Sequence, residues 1–125
     1  MIPDVNYVWR ECYRILRKGG GLLVGFDNPV GQILDWDLQK QGICQMKYRL
    51  PYSDLEQLEK EKYEELISNG SSIQYGHLLG DQIGGQLRAG FYLTGLYEDY
   101  WGNNERAIDK YMPVFIATRA VKPYP

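Results

Sequence analysis

An imidazole can take and give protons near neutral pH, which makes His77, the single histidine of this chain, the first residue to weigh as a general base. No partner that would orient it stands beside it in the sequence, so a structural or solvent-facing histidine is the reading its surroundings favour. Asp27-Asn28-Pro29 is the second candidate. It forms a turn signal directly after the apolar run 22–26, at the carboxyl end of a strand, where open α/β sheets collect their ligands. Asp81, Glu98 and Asp99 read as surface or capping carboxylates. Cys12 and Cys44 have no Cys-x-x-Cys spacing and only one histidine to join them, so they read as reduced packing residues, with no metal cluster expected. A catalytic residue is not identified from these types alone.

Aromatic side chains are the compositional oddity: 11 Tyr, 3 Trp and 3 Phe, many of them in loops or at element ends, such as Tyr48, Tyr52, Tyr75, Tyr97, Tyr100 and Trp101. Two readings stand side by side. Tyr and Trp can cover the edge of a core while keeping one polar atom wet, which is the commoner fate of partly buried aromatics. They can also line a pocket for a small organic substrate. The run Gly19-Gly20-Gly21 invites a phosphate-cradle reading, but it follows a helix and precedes a strand. Amides point at a ligand in the opposite order, strand to helix, and a helix C-cap explains the glycines without one.

The elements that must position these residues follow from the pattern. A length of 125 residues fits one domain, 1–125, with a substantial core. With 14 Lys+Arg against 16 Asp+Glu, the formal charge of −2 argues for neither a nucleic-acid nor an anionic-membrane partner. No apolar run approaches a membrane span and the N-terminus lacks the apolar core of a signal peptide, so a cytoplasmic chain is expected. Asp4 caps a first helix whose apolar positions Val5, Val8, Trp9, Cys12, Ile15 and Leu16 share a face, with Arg14, Arg17 and Lys18 at its last turn. The run 22–26 reads as a strand covered on both faces. A helical turn around 33–38 and a weakly alternating strand at 44–50 follow. Ser53 and Glu56 make a capping-box pattern for a helix at 54–68. Residues 73–77 are extended, 78–89 form a glycine-containing helix stopped by Gly90, and 91–98 and 113–120 are strands joined by the polar connection 99–110. The glycines inside 78–89 call for close packing against another backbone.

The order of these elements resembles a known family. Arg14-Ile15-Leu16-Arg17-Lys18-Gly19-Gly20-Gly21-Leu22-Leu23-Val24, then Ala89-Gly90-Phe91 before a strand, then a last strand through Phe115-Ile116-Ala117-Thr118-Arg119, resembles the C-terminal part of class I S-adenosylmethionine-dependent methyltransferases. Lys18 stands where that family usually has proline. The resemblance implies an α/β, partial Rossmann-like fold with three main strands, the last inserted antiparallel between the other two. About three helices and a cap-like insertion at 30–77 complete it. It places Asp27 and Asn28 near the approach of a substrate, and Trp36, Tyr48, Tyr52, Tyr75 and His77 on the cap as pocket candidates.

The family's cofactor motif has no counterpart in these residues. S-adenosylmethionine is therefore expected for the full-length family and not for this chain alone. The strand 22–26 is left as an apolar edge open to a homodimer partner or to an N-terminal half. The expected activity is methyl transfer to a small molecule, absent in the isolated chain. A non-catalytic small-ligand-binding or regulatory module is the alternative.

Overall fold

A computed structural model describes residues 3–100, 102 and 106–125. Trp101 and part of the connection 99–110 lie outside the described residues. Asp4 opens the first helix as expected, its carboxylate accepting from the Asn6 and Tyr7 amides, and α1 runs Val5–Ile15. The helix stops three residues short of Lys18 because Leu16 is already extended. A cation from the far end of the chain takes the place expected of the local ones. Lys122 Nζ donates to the carbonyls of Tyr13 (2.7 Å) and Leu16 (2.9 Å), at the negative end of the helix dipole, and lies 4.6 Å from the Tyr13 ring centre.

Next come β1 (Gly21–Asp27), a 3₁₀ turn at Pro29–Gln32, α2 (Trp36–Lys40), β2 (Tyr52–Ser53), α3 (Asp54–Gln57), α4 (Lys60–Ser68), β3 (Tyr75–Gly76), α5 (Leu79–Gln82), α6 (Gly84–Ala89), β4 (Tyr92–Asp99), a 3₁₀ turn at Ala107–Lys110 and β5 (Phe115–Val121). The main sheet has the order β1-β5-β4, with β5 antiparallel to both neighbours, as the resemblance implies. Val24 and Leu96 meet Thr118 from either side, and a bulge at Thr94 shifts the β4 register.

One face of this sheet carries the core. Ile116, Thr118 and Ala120 alternate inward on β5 and are nearly fully buried, with Phe91 and Trp9 packed on the same side. Gln86 lies fully buried beneath them and donates from Nε2 to Thr118 Oγ1 (3.2 Å) and the Gln82 carbonyl (3.0 Å). The α1 and α6 helices meet at Gly85, where a Cβ would sit 2.3 Å from Asn6 Oδ1 and 2.7 Å from Trp9 Cδ1. Close packing thus explains this glycine, whereas Gly80 faces open space. The opposite face is bare: Leu23 is 77% exposed and Tyr97 61%. The expectation that 22–26 is covered on both faces is corrected here, because α1 and α6 lie on one side and no described element covers the other.

Three further expectations change. No strand forms at 44–50. The Lys47 and Tyr48 amides both turn to the Ile33 carbonyl, leaving one bridge, Leu34 to Met46, and Met46 73% exposed. The helix at 54–68 is two helices, because Leu58 takes an extended conformation and is buried. The helix at 78–89 breaks at Ile83, where the backbone distorts before the glycine pair that meets α1.

Candidate functional site

A cavity of about 640 Å³ opens between α1, the outer edge of β1 and the β2–β3 hairpin. Val5, Val8, Trp9 and Cys12 wall it from the helix; Leu22, Val24 and Phe26 come from the strand. At the carboxyl end of β1, Asp27, Pro29 and Gln32 form one side of its mouth, and Gln74, Tyr75, Gly76 and His77 form the other. The apolar stripe of α1 therefore has two targets. Val5 and Trp9 are buried, while Val8 and Cys12 remain partly open to the cavity.

Local interactions set each wall. The Asn28 amide donates to the Val114 carbonyl (2.7 Å), and its side chain accepts from the Val30 amide (3.1 Å), capping the 3₁₀ turn with Pro29 at its first position. Leu34, Ile108 and Val114 form a small core, flanked by Val30 and Met112, that anchors the insertion to the body. The hairpin is stapled by Asp54, which is 1% exposed. Its carboxylate accepts from the Tyr52 hydroxyl (2.5 Å) and the Gln74 amide (2.7 Å), and its own amide donates to the Gln74 carbonyl (3.1 Å). Burial, then the hydrogen bond to Asp54, pushes the Tyr52 phenol well above its ordinary range. Gly76 is packed so closely that a Cβ would lie 2.9 Å from Gln32 and 3.0 Å from Tyr52.

The structure divides the candidates read from the sequence. Asp27, Tyr75 and His77 face the cavity. Trp36, Tyr48 and Tyr52 lie apart from its lining as a cluster of their own, with ring centres 5.2 to 6.4 Å apart, and Asn28 caps a turn. That cluster packs the base of the hairpin that carries Tyr75 and His77. Sequence reasoning missed Gln32, Gln74 and Gln82, scattered glutamines whose shared wall is created only by tertiary packing. It also read Val8 and Cys12 as plain core, although a stripe wider than one partner helix can cover was a signal.

Among the described residues no group of three or more His, Cys, Asp or Glu could hold a metal, and no helix is long and apolar enough to cross a membrane. The glycines of the α1–β1 turn do not suit a nucleotide cofactor. The Gly19 amide donates to the Lys122 carbonyl (2.6 Å), the Gly20 amide donates to the Arg17 carbonyl (2.9 Å), and the Tyr124 ring occupies the space a Gly19 Cβ would need. With those amides engaged, the turn offers no cradle.

No family model matches the chain. YbaJ, an uncharacterized methyltransferase of Bacillus subtilis (strain 168), is 44% identical over 121 residues, covering 97% of this chain and 46% of YbaJ. The chain thus spans about half the length of that relative. Among solved structures, a protein of Listeria monocytogenes assigned as an S-adenosylmethionine-dependent methyltransferase superposes with a TM-score of 0.61 at 14% identity, covering 98% of this chain and 56% of that one. The chain therefore has the fold of part of an S-adenosylmethionine-dependent methyltransferase. A methyltransferase of Mesorhizobium loti gives the same picture, with a TM-score of 0.58 at 14% identity over 96% of this chain and 56% of its own. In this shared fold, β1 is the strand that follows the Lys-Gly-Gly turn and β4 the one that follows Ala89-Gly90-Phe91, with β5 between them.

Proposed function

We propose that this chain is the acceptor side of a methyltransferase acting on a small molecule, and that it binds and orients the acceptor while the cofactor is held by residues outside the chain. One observation carries the reading: the cavity opens at the carboxyl end of β1, between α1 and the hairpin, in a fold portion that covers about half of its relatives. Asp27, Tyr75 and His77 stand at its mouth, where hydrogen bonds would fix an acceptor's polar group, and the apolar wall would exclude water from its body. Since the α1–β1 turn gives no cradle, no step is assigned to the cofactor on this chain. The edge of β1 has no strand beside it on its outer side among the described residues. A cofactor-bearing half of the same fold would complete the sheet there, as would a second copy of this chain.

Equilibrium dialysis of the chain against radiolabelled S-adenosylmethionine is expected to leave the label evenly distributed; retention by the isolated chain would overturn the division of labour. Placing the unmatched part of YbaJ in front of the chain is expected to restore retention and to move labelled methyl into small molecules of a cell extract. Retention without any methyl transfer would favour the other reading, a non-catalytic ligand-binding module. That reading draws on the cavity that described residues of this chain line.

A further inference from the structure

Two apolar depressions among the described residues differ in charge. On the bare sheet face, Leu23, Tyr97 and Phe115 lie beside Arg119. Among the described residues the lining of the 640 Å³ cavity holds no lysine or arginine and one carboxylate residue, Asp27, at the mouth. Val8, Cys12, Leu22 and Val24 make its wall wholly apolar toward the start of β1. An anion entering there would lose its water with no cation to meet it and would pass a carboxylate on the way. A neutral group would meet amides and an imidazole instead: Gln32, Gln74 and His77 offer both donors and acceptors.

We propose that the cavity selects an uncharged or cationic ligand with an apolar body, held with its polar end at Asp27 and His77, and that it turns anions away. This rests on the acceptor-side reading and narrows the acceptor class to neutral or basic amphiphilic compounds. Phosphorylated, sulfonated and free carboxylate compounds fall outside it.

Two dyes with the same aromatic body test the selection: N-phenyl-1-naphthylamine, which is neutral, and 8-anilinonaphthalene-1-sulfonate, which adds one sulfonate. Fluorescence titration of the full chain is expected to show the neutral dye binding about tenfold or more tightly, a difference of about 1.4 kcal/mol. Filling the wall with Val8→Trp should abolish the neutral dye's binding while far-UV circular dichroism stays unchanged. Should that variant not fold, the smaller Cys12→Leu should weaken binding several-fold. Any sulfonate signal that survives filling belongs to the Arg119 face and is subtracted. Asp27→Asn should bring the sulfonate closer to the neutral dye, by about threefold.

Equal affinity for the two dyes, or neutral-dye binding untouched by both wall variants, would overturn the inference. Selective binding with no methyl transfer in the fused protein would sink only the acceptor reading. Methyl transfer alongside equal dye affinities would sink only the selection.

Discussion

In the body, β5 pairs with β1 over seven residues and with β4 over its length, and the backbone ladder is backed by a helix layer. In the insertion the longest ladder is two residues, Tyr52-Ser53 against Tyr75-Gly76. Side chains perform there the work that backbone performs in the body. Asp54 staples the hairpin. Gln57 clamps the loop before it, its amide group donating to the Arg49 (3.0 Å) and Pro51 (2.9 Å) carbonyls and accepting from the Arg49 amide (2.9 Å). Asp35 caps α2 through the Leu38 amide. A ladder spreads its stabilisation over many equivalent groups; a clamp concentrates it in one. The insertion is therefore a unit that single polar substitutions can loosen while the sheet stays formed.

The comparison can be broken first at the body. Phe91→Ala removes a ring that is 1% exposed and meets Tyr13 edge-on at 5.1 Å. A loss of about 3–5 kcal/mol is expected, and chemical denaturation should show sheet and insertion unfolding together. Asp54→Ala strips two hydrogen bonds from a buried staple, with an expected cost of about 3 kcal/mol. Amide exchange should then rise across 52–76 while β4 and β5 keep their protection. Equal exchange across both regions would show that the insertion is no separate unit.

Tyr52→Phe is milder, at about 1–2 kcal/mol, and it carries a pH signature. The folded phenol is held above its ordinary value of 10.0, so its contribution is full below pH 10 and is lost as pH rises beyond that. The stability gap between parent and variant should narrow in that alkaline range. Smallest is Lys62→Gln. Its Nζ donates to Asp37 (2.5 Å) at an exposed site and holds that carboxyl below its ordinary value of 3.8. The pair's contribution is present above pH 3.8 and is lost as pH falls below it. Thermal melts should show a shift only at low salt that vanishes in 1 M salt.

The same contrast explains what the sequence made legible. Asp4, the apolar stripe of α1, the glycine stop at Gly90 and the three strands of the body are local patterns with a fixed period, and each forms where that period places it. The order β1-β5-β4 came from the resemblance, since no local pattern specifies which strand lies in the middle. The insertion was legible only in part. Ser53 does cap its helix, but the break at Leu58 answers to burial that the charged run around it conceals. Trp36, Tyr48 and Tyr52 are aromatic like Tyr75, and only the fold separates cluster from cavity wall. The exposed face of β1 could not be read from Leu22-Leu23-Val24, because an apolar run does not say how many of its faces are covered.

The middle strand of the sheet is also the last to leave a ribosome. Until residues 115–121 emerge, β1 and β4 have no partner between them, and the cation that caps α1 has not yet been made. Until then β1 and β4 each lack the partner that joins them in this sheet. Assembly waits on contacts that span nearly the whole sequence, which slows folding and lengthens the exposure of sticky surface. A chain ordered this way joins these three strands in one late step.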